Sequence, residues 1–248
     1  MFKYLLTILV ALTTYTSVSI ADVKLANKVA DEASLRIEDY CSATVINKEK
    51  RLVATANHCV EMNFPRVSQK VQRPNGHEFY TTIPMFRPIQ LNKEALDENG
   101  VPRYTLKYTA KVLARDKKLD VAILQINETD VPILGEVKIS WERAKRGDTV
   151  YTIGSPIGLP YTISQGILMS DMAYWPKRWG EASEKIDMPI LIFDASAMPG
   201  NSGGTLINDN GEMIGIVCWR FGDTGRIGGA TPINNLKILS NNFNLNLF

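Results

Sequence analysis

The chain has 248 residues, with 28 Lys and Arg against 26 Asp and Glu, for a formal charge of +2. Without a long block of like charge it lacks the basic surface that a polyanion requires, so no nucleic-acid partner is expected. Two histidines and three cysteines with no close Cys/His cluster argue against a zinc site, and no metal or other cofactor is expected.

Residues 1–21 open with Met1-Phe2-Lys3, continue through the apolar stretch Tyr4 to Leu12, and end on the small residues of Ser19-Ile20-Ala21. That order predicts a secretory signal cleaved before Asp22, and hence a secreted or periplasmic protein. An uncleaved anchor is the alternative, but Thr and Ser from Thr13 to Ser19 interrupt the run short of the roughly 20 apolar residues a span needs. No later run is long enough, so no stable membrane span is expected after cleavage. Val23, Ala26, Val29, Ala30 and Ala33 then recur at helical spacing, which predicts a short amphipathic helix over Asp22 to Ala33.

From there the apolar runs are short and rich in β-branched residues: Ala43 to Ile46, Leu52 to Thr55, Tyr108 to Ala114, Val121 to Ile126, Thr149 to Ile153, Thr162 to Met169, Ile190 to Phe193, Thr205 to Ile207 and Glu212 to Trp219. Turn signals such as Asn208-Asp209-Asn210-Gly211 separate them, which predicts an all-β fold. His77, in Asn75-Gly76-His77-Glu78, reads as a hairpin-tip residue with no catalytic role. Pro232 to Ser240 reads as a closing C-terminal helix, with proline at a permitted first-turn position.

The chemistry is concentrated in Pro199-Gly200-Asn201-Ser202-Gly203-Gly204. A serine among glycines sits on an unusual backbone, and Ser202 is the candidate nucleophile. A serine hydroxyl needs a histidine base and a carboxylate that orients the base. His58, in Thr55-Ala56-Asn57-His58-Cys59, and Asp120, opening Asp120-Val121-Ala122-Ile123-Leu124, fill those places. Each alone has a plain structural reading: a core histidine, a turn acid, a tight glycine-rich turn. The order His, Asp, Ser excludes subtilisin-like and α/β-hydrolase arrangements.

These three motifs resemble the chymotrypsin clan of trypsin-like serine proteases, most closely the HtrA/DegP branch. The flanks that carry the likeness are Lys111-Val112-Leu113-Ala114-Arg115-Asp116, Gly147-Asp148-Thr149-Val150, Gly154-Ser155-Pro156-Ile157-Gly158-Leu159 and Phe193-Asp194-Ala195-Ser196-Ala197-Met198. The resemblance implies one protease domain over residues 22–248, made of two six-stranded antiparallel β-barrels at about 34–127 and 142–236. It implies polypeptide substrates, a catalytic set of His58, Asp120 and Ser202, and an oxyanion hole from the amides of Gly200 and Ser202. It also implies a disulfide between Cys41 and Cys59; two buried thiols are the alternative. Cys218 is left over as a buried small side chain.

Further implications concern specificity and control. Ser196 stands where a trypsin-like enzyme carries its acid, so cleavage after Lys or Arg is disfavoured. Ser196, Cys218, Trp219 and Arg220, with the Gly228-Gly229 strand, are expected to line a pocket for small or medium apolar residues. Asn201 cannot make the ion pair that releases chymotrypsin-like zymogens. No room for the PDZ module usual in HtrA proteins is expected, and nothing in the sequence argues for an oligomer. Compared with HtrA enzymes that lack insertions, the excess between His58 and Asp120 is placed in Thr81 to Lys107, expected to be a surface excursion. Cys218 replaces the serine normally found near the triad aspartate, which gives some weight to the alternative of a catalytically silent chymotrypsin-fold binding protein.

Overall fold

The computed structural model describes residues 23–61, 66–72, 78–84, 87–99, 101–132, 134–174 and 189–248. The signal expected over residues 1–21 and the hairpin tip expected at His77 lie outside the described residues.

Fourteen strands dominate the described residues. The first closed barrel contains β1 (Ser34–Ile37), β2 (Cys41–Asn47), β3 (Leu52–Thr55), β6 (Ile89–Leu96), β7 (Pro102–Asp116) and β8 (Val121–Ile126), in the order β1-β2-β3-β8-β7-β6. The second contains β9 (Thr149–Gly154), β10 (Thr162–Tyr174), β11 (Pro189–Phe193), β12 (Thr205–Asn208), β13 (Met213–Phe221) and β14 (Ile227–Pro232), in the order β10-β11-β14-β13-β12-β9. Between β3 and β6, β4 (Arg66–Gln72) and β5 (Glu78–Pro84) pair only with each other. The fold is therefore all-β, with two six-stranded antiparallel barrels and helices near both ends of the described chain.

Local sequence explains the barrels. All four residues of β3 and the first four of β8 are buried, because each strand faces the barrel interior on one side and packed neighbours on the other. Helix α1 (residues 23–33) buries Ala26, Val29, Ala30 and Ala33 against the same core, while Val23 remains exposed. Residues between the barrels are pinned to both: the Val137 amide donates to the Val45 carbonyl and the Ser140 amide to the Met213 carbonyl.

Two expectations are corrected. Thr81 to Lys107 is not a surface excursion, since β6 and the start of β7 close the first barrel and Ile89 and Leu91 are fully buried. The excursion is the β4–β5 hairpin. The sequence concealed β6 because Asn92, Lys93 and Glu94 interrupt its apolar pattern, and all three are buried in a polar cluster. The closing helix α3 spans Asn234–Asn242, two residues later than expected. Pro232 instead ends β14 opposite Gly215, and the Ile233 amide extends that pairing to the Ile214 carbonyl.

Candidate active site

His58 lies in the five-residue helix α2 (Asn57–Glu61), at the end of β3. Asp120 closes the turn before β8 with φ of +47°, a left-handed conformation that aspartate tolerates better than most residues. The turn aims its carboxylate at α2: His58 Nδ1 lies 2.9 Å from Asp120 Oδ2 and 3.1 Å from Oδ1, and the His58 amide donates to Oδ1 at 3.1 Å. An ionised carboxylate only accepts, so Nδ1 carries the proton and Nε2 is left as the acceptor. The imidazole is 41% exposed against 12% for the Asp120 side chain, which leaves the ring reachable and its partner shielded.

The Cys41–Cys59 disulfide, with Cα atoms 5.9 Å apart, ties the start of β2 to the residue after His58. Cys41, His58 and Cys59 are the one metal-ligand cluster among the described residues, and with both sulfurs bridged it offers a single imidazole.

Ser202 enters from the second barrel. The peptide plane that follows it, Ser202–Gly203, is fixed by the Ser42 amide, which donates to the Ser202 carbonyl at 2.7 Å, and that carbonyl lies 3.4 Å from Cys59 Sγ. Gly203, at φ +83°, allows this approach: a Cβ there would come within 2.1 Å of the Ser42 carbonyl oxygen and Thr55 Oγ1. The Ser202 hydroxyl makes no hydrogen bond among the described residues, to His58 or to any other group.

Gly200 has φ of +100°, and a Cβ would meet the Ser155 carbonyl oxygen at 2.4 Å. The preceding carbonyl, of Pro199, accepts from the Ile157 amide at 2.7 Å. In a trans peptide the C=O and N–H point in opposite directions, so that bond turns the Gly200 amide away from Ile157. Neither the Gly200 nor the Ser202 amide donates to another described residue.

Sequence reasoning missed Ser42. Fully buried, its hydroxyl donates to the Gly200 carbonyl at 2.7 Å and accepts from the Ser155 amide at 2.8 Å. One first-barrel side chain thus joins two loops of the second barrel. A serine two residues from nothing but strand signals offers no hint of this, because the contact spans more than 110 positions.

The candidate pocket residues separate. Asp120, His58, Cys218 and Trp219 share an open cleft of about 360 Å³ with Asn57, Glu61 and Lys117, whereas Ser196 and Arg220 lie outside its lining. Ser196 is half-buried and committed through its backbone: its amide donates to Ser164 Oγ, and its carbonyl accepts from Thr152 Oγ1 and Asn201 Nδ2. Arg220 is exposed. Cys218 Sγ lies 3.6 Å from the main-chain carbonyl of Asp120 and 3.3 Å from that of Ile216. Burial, and then the Asp120 charge, push this thiol well above its ordinary pKa. Two larger concavities, near Ala110 to Arg115 and beside Leu191 and Ile214, hold none of the candidate residues.

The description "Trypsin-like peptidase domain" matches residues 41–216. A probable periplasmic serine endoprotease, DegP-like, of Hahella chejuensis is 35% identical over 129 residues, covering 51% of this chain and 26% of that protein. The serine protease Do-like HtrA of Bacillus subtilis is 34% identical over 135 residues, covering 52% of this chain and 29% of that protein. The matched part is thus under a third of either relative. Among solved structures, the serine endoprotease from Yersinia pestis superposes with a TM-score of 0.60 at 22% identity, covering 90% of this chain and 66% of that one. An HtrA-type protease AlgW with decapeptide gives 0.57 at 21% identity, covering 84% and 52%. These structural likenesses speak to fold, and with the match over residues 41–216 and the HtrA and DegP-like relatives they lead to one conclusion: the chain belongs to the trypsin-like peptidase domain family and is homologous to HtrA/DegP serine proteases.

Proposed function

We propose that this protein is an exported serine endopeptidase, periplasmic or secreted, that hydrolyses peptide bonds through an acyl-enzyme on Ser202. The observation that carries the reading is the two-point pairing of His58 with Asp120, beside the backbone of Ser202. Ser202 Oγ attacks the peptide carbonyl as His58 Nε2 takes its proton. The same proton passes to the leaving amine when the tetrahedral intermediate collapses, and water repeats the cycle to free the acyl group. Asp120 holds the Nδ1–H tautomer and stabilises the imidazolium. The oxyanion is met by the amides of Gly200 and Ser202, both unengaged among the described residues, which supports their assignment as donors.

Ser196, where a trypsin-like enzyme carries its acid, supports cleavage after small or medium apolar residues, with Cys218 and Trp219 in the lining of the cleft beside His58. A peptide library dominated by Lys or Arg before the cut would sink that preference. For the reaction itself, a fluorophosphonate probe is expected to label the purified protein and to fail on Ser202→Ala and His58→Ala. Labelling that survives Ser202→Ala removes the nucleophile. Absence of labelling on the parent protein, with binding to a peptide partner retained by Ser202→Ala, supports the silent-binder reading instead.

A further inference from the structure

The first barrel carries an open strand edge well away from the His58 cleft. The pairing of β6 with β7 ends at Ile89 opposite Ala110, yet β7 runs on to Asp116. β6 begins immediately after Pro88, and a proline lacks the N–H that a ladder needs. The direction of the main-chain groups along β7 follows from one bond: the Thr109 carbonyl accepts from the Asn127 amide at 2.8 Å, on the β8 side. Successive residues of a strand turn their amides and carbonyls to opposite neighbours. Ala110 therefore faces β6 and Lys111 faces β8, and Val112 faces the side that β6 has vacated. No described residue takes the Val112 amide or carbonyl on that side.

A groove of about 610 Å³ lies over this stretch, lined by Arg87 and Pro88, by residues 110–115 of β7, and by Asn127 and Phe243. Its size falls within the roughly 300–1,000 Å³ of ligand sites. Side chains alternate between the two faces of a strand, so six successive residues can line one groove only if the main chain lines it too. Phe243 is half-exposed and, with Pro88, offers apolar surface. The charge is one-sided: Arg87 and Lys111 are exposed and make no ion pair among the described residues, and no carboxylate is found in the described lining. The acids nearest along the chain are engaged elsewhere, Asp116 by the Lys118 and Leu119 amides and Glu128 by the Thr109 amide and hydroxyl.

We propose that this edge is a peptide-binding exosite, which takes an extended acidic segment of another polypeptide as a strand added to β7 at Val112. An unpaired edge supplies main-chain hydrogen bonds to any extended chain, and the surrounding side chains select which chain is held. Here the added strand exchanges two hydrogen bonds with Val112, sets carboxylates against Arg87 and Lys111, and lays apolar side chains on Pro88 and Phe243. The groove shares no lining residue with the cleft of His58 and Asp120, so the proposal goes beyond the protease reading and does not depend on it.

The test is made in the Ser202→Ala protein, so that the probe is not consumed. A fluorescein-labelled peptide of about ten residues, alternating Glu and Val, is expected to bind saturably by fluorescence anisotropy. Replacing its Glu by Lys, or combining Arg87→Glu with Lys111→Glu in the protein, is expected to weaken binding about tenfold or more. Methylating the peptide's main-chain nitrogens is expected to weaken it about tenfold as well, since the added strand then has no donors. Hydrogen exchange at the Val112 amide is expected to slow about tenfold when the peptide is bound. Absence of saturable binding up to about 1 mM overturns the exosite. So does binding that leaves Val112 exchange unchanged, or that is indifferent to the peptide's charge. Sodium decanoate that displaces the peptide at equal affinity assigns the groove to an amphiphile, and a dimer lost on Arg87→Glu assigns it to a second copy of the chain; either result overturns the peptide proposal. The N-methylated peptide needs no variant of the groove, so that arm stands even if the charge reversals do not fold. Ester turnover of the parent against Ser202→Ala decides the protease reading separately.

Discussion

The two barrels share one plan and execute it differently. Counted within each barrel, the strands run first, second, third, sixth, fifth, fourth around the closed sheet. Yet 14 of the chain's 17 glycines fall in residues 142–236, against two in residues 34–127. The first barrel fixes its share of the site with side chains and a covalent bond: His58 on a short helix, Asp120 paired to it, Cys59 bridged to Cys41. The second fixes its share with main-chain geometry, at Gly200 and Gly203, and borrows Ser42 and Tyr161's partner Glu94 from the first. Equal topology therefore does not mean equal rigidity. The proposed base is built into one barrel, while the proposed nucleophile and oxyanion loop depend on contacts across the interface.

That contrast can be broken at several points. The largest effect is expected at the triad, where Ser202→Ala or His58→Ala should lower turnover on the order of 10⁴-fold, measured on a peptide ester. Gly203→Ala comes next: its Cβ would overlap the Ser42 carbonyl oxygen and Thr55 Oγ1, on a backbone unsuited to alanine. A loss of about 3 kcal/mol is expected in urea unfolding. An Ala at this position with unchanged stability would show that main-chain approach does not join the barrels.

Removing the staple should cost about as much as that clash or slightly less. Cys41→Ala with Cys59→Ala opens a link of sequence separation 18, worth about 3 kcal/mol when the closed loop restrains the unfolded chain. The comparison is sharpened if amide exchange rises around α2 and leaves β12 and β13 unchanged.

Lys93 gives a pH test. Burial pushes its pKa down from 10.5 to about 8, against the opposing pull of Asp31, Glu94 and Glu32. Arg36, hydrogen-bonded to Glu94 at 2.8 Å, completes the charged groups around it, and Tyr161, whose phenol burial keeps protonated, lies beside them. Between pH 8 and 10.5 the unfolded chain holds a proton that the folded chain has released, so this residue's contribution to stability rises as pH climbs. Below pH 8 both states are protonated and the cost of burying the ammonium is constant. The stability of the parent protein relative to Lys93→Met should therefore increase by at most about 3 kcal/mol from pH 8 to 10.5. A flat difference in urea midpoints would remove the buried ammonium from the account. The smallest effect is expected at Cys218, whose thiol should resist iodoacetamide at neutral pH in the native protein and react fully after unfolding.

The source of each strand's burial explains which parts of the molecule were legible. Strands such as β3 and β8 are continuous apolar runs buried on both faces, so composition alone marked them. β6 was hidden because its Lys93 and Glu94 are buried only by virtue of partners on α1, β1 and the Tyr161 loop, far away in sequence. Pro232 was misread for a related reason. Its first-turn position suited a helix, but Gly215 on the neighbouring strand claims it.

By itself the sequence determined the all-β class and the helix that follows residue 22, and it supplied the three ordered motifs on which the proposed Ser-His-Asp chemistry rests, because each depends on residue type and local spacing. Tertiary structure decided what spacing cannot encode: that Ser42 spans two loops, that Ile157 turns the Pro199 peptide, and that the Asp120 carboxylate meets His58 across 62 positions. The physical reason is common to all three. Hydrogen bonds between distant loops leave no periodic trace in a chain, and only the packing of the second barrel on the first brings their donors and acceptors within reach.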